Sequence, residues 1–229
     1  MGFNALFVSV IAAAASLKLV AAAATTPSAI APRDVPKLRW IGKVFPDKPE
    51  YTLYATDVDD LWNQVLTINK NLVVTVADPS ATMRDYGLKA CGSDSTIATG
   101  HSMEIERLIT RLRQLKGYWT IDASRCHRLG CGPNAGLYWC NDNAWGIMTS
   151  TDQLHLRASH IMDGCCRTQA GGFRYGDALS GVEAFPDNHN EAAHSRVAVG
   201  WGNCNDHPNA VPIVYKFPGQ FGEGACRRS

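Results

Sequence analysis

The chain is 229 residues long and carries 22 lysines and arginines against 21 aspartates and glutamates, a formal net charge of +1. That balance lacks the electrostatic footprint of a nucleic-acid binder. The length suffices to bury a substantial core in a single domain, so cross-links would reinforce that core and not replace it.

Residues Met1 to Ala24 open the chain with an apolar stretch from Ala5 to Ala15, and Ala22-Ala23-Ala24 has the small-x-small pattern of a signal-peptidase site. The uninterrupted apolar length falls short of the roughly 20 residues that span a bilayer. Residues 1–24 therefore read as a secretory signal peptide, with no stable membrane insertion. Its removal takes away one lysine and no other charge, leaving acidic and basic side chains equal in number. Residues 25–36 (TTPSAIAPRDVP) are rich in Pro, Ala and Thr, lack a hydrophobic period, and read as a flexible lead-in. The remainder, 37–229, is expected to be one domain.

Within that domain, Val58, Leu61, Trp62 and Val65 fall at helical spacing between Asp57 and Lys70. The run Leu72 to Val76 is β-branched and is closed by Asp78-Pro79-Ser80, which predicts a strand and a turn. The clearest helix runs from Met103 to Lys116. Ile105, Leu108, Ile109, Leu112 and Leu115 share one face, Ser102 is the candidate cap, and Gly117 the stop. The outer face holds Arg107, Arg111, Arg113 and Lys116, the pattern of an ordinary solvated helix. A further helix is expected from Thr151 to Asp163, with Ser150 and Gln153 at capping-box spacing and Gly164 at its end. Strands are expected at Tyr118 to Ile121, Gly136 to Cys140, Arg196 to Trp201 and Val211 to Phe217. Short strands and two or three helices in mixed order make the fold class α+β.

All eight cysteines, Cys91, Cys126, Cys131, Cys140, Cys165, Cys166, Cys204 and Cys226, lie downstream of the cysteine-free segment. An even count behind a signal peptide is a disulfide framework, and spacing alone does not choose among the pairings. Paired CxxC knuckles are absent, which argues against a zinc ribbon. Adjacent Cys165 and Cys166 would form a strained ring if joined, so each is expected to take a different partner.

The stretch from Tyr138 to Trp145 (YWCNDNAW) sets aromatic faces beside amides and a carboxylate, the composition of a sugar-binding surface. Tyr138, Asn141, Asp142, Asn143 and Trp145 are thus the candidate binding residues. The plainer reading buries Trp139 in the core and makes Asn141 to Asn143 an Asx turn. Of the seven histidines, His189 and His194 flank Glu191 at the wrong spacing for a zinc-protease helix. Cys204 and His207 have a metal-ligand spacing, but one pair does not make a tetrahedral site. A hydrolase built on His127, Asp142 and His155 is conceivable, as acid–base chemistry needs such groups. No nucleophile elbow, P-loop or dinucleotide fingerprint is present. No catalytic residue, metal or cofactor is assigned.

The order CHRLGCGPNAGLYWCNDN (Cys126 to Asn143), the helix ending in Cys165-Cys166, Gly171-Gly172 and the late Gly200-Trp201-Gly202-Asn203-Cys204 resembles small cysteine-rich proteins secreted by filamentous fungi. More loosely it is similar to killer-toxin-like and necrosis-inducing effector families. Cys91-Gly92-Ser93-Asp94-Ser95 ahead of a helix and Trp119-Thr120 is an order also similar to the necrosis-inducing group. The resemblance implies helices packed on a small antiparallel sheet and locked by disulfides. It also implies a secreted, monomeric effector or toxin-like protein that binds a host or competitor target without turnover. A cell-wall glycan binder and a small secreted hydrolase are the alternatives.

Overall fold

A computed structural model of the chain describes residues 35–72, 89–91, 100–167, 178–186, 192–206 and 223–224. The chain divides after Asp34, and all described residues belong to the unit that begins at Val35. The expected signal peptide, the expected lead-in through Asp34, residues 73–76 of the strand expected at Leu72 to Val76 and the strand expected at Val211 to Phe217 lie outside the described residues.

The described chain starts with two strands, β1 (Leu38–Gly42) and β2 (Tyr51–Ala55), and then the helix α1 (Val58–Ile68). Asp57 caps α1, its Oδ1 accepting the Asp60 N–H at 2.8 Å, and Val58, Leu61 and Val65 turn inward. Two short strands follow, β3 (Lys89–Cys91) and β4 (Gly100–His101), the latter running directly into α2 (Ser102–Gln114). The helix cap expected at Ser102 falls instead at His101, whose side chain makes no capping bond. Ser102 is the first helical residue and is buried, because pairing of β4 keeps the chain extended only through His101.

After α2 come β5 (Gly117–Ile121), β6 (Arg125–Gly132), β7 (Ala135–Asn141) and β8 (Ile147–Ser150). Helix α3 (Thr151–Gly164) begins as its capping box predicts, with Ser150 Oγ accepting the Gln153 N–H at 3.2 Å. The remaining strands are β9 (Cys166–Arg167), β10 (Ala178–Leu179), β11 (Gly181–Ala184), β12 (Ser195–Gly200) and β13 (Glu223–Gly224).

These strands form three antiparallel sheets with orders β2-β1-β5-β8, β3-β11-β12-β7-β6 and, from two-residue strands, β13-β9-β10-β4. Helices α2 and α3 pack on each other and on the five-stranded sheet; α3 also reaches β5 and β8, while α1 joins β2 to β6. One apolar cluster runs through both larger sheets and all three helices, with Trp40, Trp119, Trp139, Leu108 and Leu154 fully enclosed. Burying such side chains is the dominant favourable term in the fold, about 1.5–3 kcal/mol for each large apolar group. The architecture is α+β, with helices on small antiparallel sheets.

β7 is buried along its whole length, so its side chains cannot alternate between core and solvent. Trp139 faces the main core and donates its indole N–H to Ser195 Oγ at 3.4 Å, while Tyr138 faces Ala198 and Val182 on the other side. Gly136 lies on the Tyr138 side; a Cβ there would meet the phenol ring at 2.5 Å, so only glycine fits. Cys126–Cys140 crosses the β6–β7 hairpin, Cys131–Cys204 ties β6 to the segment after β12, and Cys91–Cys165 staples β3 to the end of α3. The side chains of Cys166 and Cys226 lie outside the described residues.

Candidate functional site

The sheet β2-β1-β5-β8, called the four-stranded sheet below, has one face in the core and one in solvent, as alternation along its strands requires. Leu38, Trp40, Trp119, Ile121 and Ile147 point inward. On the outer face the register sets Tyr54 beside Arg39, Arg39 beside Thr120 and Thr120 beside Met148. A second row runs from Thr52 through Ile41 and Tyr118 to Ser150. Tyr54 is 54% and Tyr118 42% exposed. Two large aromatic side chains thus stand open on one sheet face, Tyr54 in the first row and Tyr118 in the second.

Tyr54, Arg39 and Thr120 of the first row rim a cleft of about 240 Å³. Lys37 and Arg39 stand on one side, Thr120 and the turn residues Asp122 and Arg125 on the other, and buried His127 is among its lining residues. Arg39 Nη2 donates to Thr120 Oγ1 at 3.3 Å, and Arg125 pairs with Asp122 at 3.5 Å. His127 is fixed from behind, its Nε2 lying 2.9 Å from the Thr56 carbonyl. The Thr56 N–H donates to Asp60 Oδ2 at 2.9 Å. Desolvation raises the Asp60 carboxyl, but the Thr56 and Gln64 hydrogen bonds and the Lys37 charge outweigh it and hold Asp60 below its ordinary value. The wall is thus tied to α1 and does not depend on a ligand for its shape.

At the other side of the Asp122 turn, the loop between β7 and β8 presents Trp145, 63% exposed. Asn141 Nδ2 donates both to the Trp145 carbonyl at 2.7 Å and to the Asp122 carbonyl at 2.9 Å. Asn141 Oδ1 in turn accepts the Asn143 N–H and side-chain amide, each at 2.9 Å, and Asn143 Nδ2 reaches the Ala193 carbonyl at 2.7 Å. One buried amide therefore couples the tryptophan loop to the cleft.

The five residues expected to form a binding surface thus divide. Tyr138, Asn141 and Asn143 are buried and hold the structure, as in the plainer Asx-turn reading, and they offer no surface to a ligand. Tyr138 donates its hydroxyl to the Trp201 carbonyl at 3.2 Å, and burial pushes its phenol up to about 12. Asp142 lies at the surface in an ion pair with Arg196, and Trp145 is exposed. Tyr54, Arg39 and Tyr118 are additions that composition around the cysteines does not reveal. The alternation Leu38-Arg39-Trp40 and Tyr118-Trp119-Thr120 is the signal that finds them.

The groups considered for hydrolysis do not converge. His127 holds Thr56, Asp142 holds Arg196, and His155 is buried on α3 with Asp152 Oδ1 3.7 Å from its Nδ1. Burial pushes the His155 imidazole below its ordinary value, although Asp152 works against this. Cys204 is bridged to Cys131 and has no thiolate to offer a metal. Among the described residues no group of three metal-ligating side chains forms. The basic residues of α2 and the following Lys116 are paired: Arg107 meets Glu104 of the same helix at 3.0 Å and Asp59 of α1 at 3.3 Å, Arg111 meets Asp59 at 3.5 Å, and Lys116 meets Asp152 of α3 at 2.6 Å.

No described helix is long and apolar enough to cross a membrane. Comparison with known proteins finds no matching family model, no matching curated protein and no matching solved structure.

Proposed function

We propose that this chain is a secreted, disulfide-locked binding protein of the cysteine-rich effector or toxin-like kind. It docks a host or competitor molecule through the outer face of the four-stranded sheet and the neighbouring Trp145 loop, and it does not turn its target over. The observation that carries this reading is the exposure of Tyr54, Tyr118 and Trp145 on supports that are otherwise fully tied down. Exposed aromatics on a preorganised scaffold lose little entropy on binding and are the usual anchors of protein and glycan interfaces. The signal-like segment 1–24, the three disulfides among the described residues and the resemblance to fungal secreted proteins support an extracellular setting.

Trp145→Ala separates a docking role from a packing role, because the indole is mostly outside the core. The folded wild type is expected to bind the surface of plant or microbial cells, and the variant to lose at least tenfold in affinity at an unchanged melting temperature, as for an interface anchor. A wild-type protein that binds no cell-surface component of either kind contradicts the reading.

A further inference from the structure

We infer that the cleft between β1 and the Asp122 turn binds an acidic sugar ring, with the carboxylate of a uronate seated among Arg39, Lys37 and Arg125. The inference rests on the reading of this face as the binding surface, and it names the ligand chemistry.

Charge is the first argument. The chain as a whole is almost balanced, yet three cations line this small cleft and the acid among its described lining residues is Asp122. Asp122 is already paired with Arg125, and its side chain is 78% exposed. Lys37 also acts on the Asp60 carboxylate, so Arg39 is the cation left to face the cleft, fixed there by one bond from Nη2 to Thr120 Oγ1. The rest of a planar guanidinium fork suits a carboxylate.

Size and the rim select a ring. A volume of about 240 Å³ is below the roughly 300–1,000 Å³ of sites that enclose drug-sized ligands. It accommodates one ring or end group of a longer chain. Tyr54, opposite Arg39 in register, supplies an aromatic face at the rim, and the Thr120 hydroxyl supplies polar contact. Trp145, coupled to the far turn through Asn141, would meet the next ring along.

An acidic peptide could satisfy the same cations, but the neighbouring sheet edge does not favour one. Peptides commonly add to an open edge strand through main-chain bonds. On β2 that edge is occupied by α1: Gln64 Nε2 donates to the Tyr54 carbonyl at 3.0 Å, and Asp60 takes the Thr56 N–H.

Titration calorimetry of the oxidised protein with tri-galacturonate, tri-galactose, free galacturonate and a hexaglutamate peptide tests this. Tri-galacturonate is expected to bind, tri-galactose to bind at least tenfold more weakly, and free galacturonate to bind more weakly than the trimer but to compete with it. Arg39→Gln, on an exposed side chain, should weaken the trimer roughly ten- to hundredfold, the loss of one charge-assisted hydrogen bond, at an unchanged melting temperature. Raising the salt should weaken binding further, as screening requires. Equal binding of charged and neutral trimers overturns the assignment while leaving the aromatic surface standing. Binding of hexaglutamate in place of the trimer, or tri-galacturonate binding untouched by Arg39→Gln, also overturns it.

Discussion

Asn141 is the residue at which core and surface meet. Its amide group is buried, donates to two turn carbonyls and accepts from Asn143, so every capacity it has is used inside the fold. Tyr138, three residues earlier, is held by burial in the same way, and its chemistry gives a direct check. The phenol is pushed from an ordinary 10.0 up to about 12. The folded state thus keeps a proton that the unfolded chain releases first. Stability from this group is complete below pH 10, and it is lost as pH rises from 10 towards 12. Denaturant unfolding across that range should therefore show a steeper decline for wild type than for Tyr138→Phe. Identical declines would show that Tyr138 is not enclosed. Trp139 and the Asx turn were legible from residue type, since large aromatics are mostly buried and Asn pairs with its own backbone. What residue type could not reveal was which aromatics stay outside. Tyr138 and Tyr54 look alike in sequence, and only strand register separates them.

At the level of elements, the helices read most clearly, because their apolar spacing and caps are local signals. Ser150 caps α3 through the expected oxygen, Asp57 adds a cap on α1, and α1 and α3 end within a residue or two of their expected limits. The strands that build the binding face were partly hidden. β5 was expected, but β1, β2 and β8 are short, and their outward residues include Tyr54, Ile41 and Met148, which blur the alternation. β6 was masked by its two glycines, its charges and a bulge at Leu129, where the register shifts between Arg128 and Gly130. The exposed cations of α2 were correctly read as an ordinary face. Glu104 on the same helix meets Arg107, but the other partners come from α1 and α3, which no single helix sequence contains.

For the molecule as a whole, the disulfides tie segments that are far apart in sequence. Cys91–Cys165 closes a separation of 74 residues and Cys131–Cys204 one of 73, whereas Cys126–Cys140 spans 14. In the chain-entropy view the two long closures constrain the unfolded state more, each by about 4–5 kcal/mol against roughly 3 kcal/mol for the short one. The pairing was not legible beforehand because it follows from tertiary register, such as Cys126 opposite Cys140 in the hairpin. Cys166 and Cys226 complete the eight. β9 pairs with β13 so that Gly224 lies opposite Cys166, two residues before Cys226. A Cys166–Cys226 bridge is therefore expected, and peptide mapping of the unreduced protein should recover that linked pair; an alkylated thiol at either position would contradict it.

The central claim, that this locked framework serves a binding face on the four-stranded sheet, is tested most directly by mapping where a target touches. Amide chemical shifts of the isotope-labelled, oxidised protein should be followed during titration with solubilised plant and microbial cell-wall material. The account predicts shifts concentrated at Arg39, Tyr54, Tyr118, Thr120 and the Trp145 loop. Shifts centred on the outer face of α2, or none with either material, would contradict it.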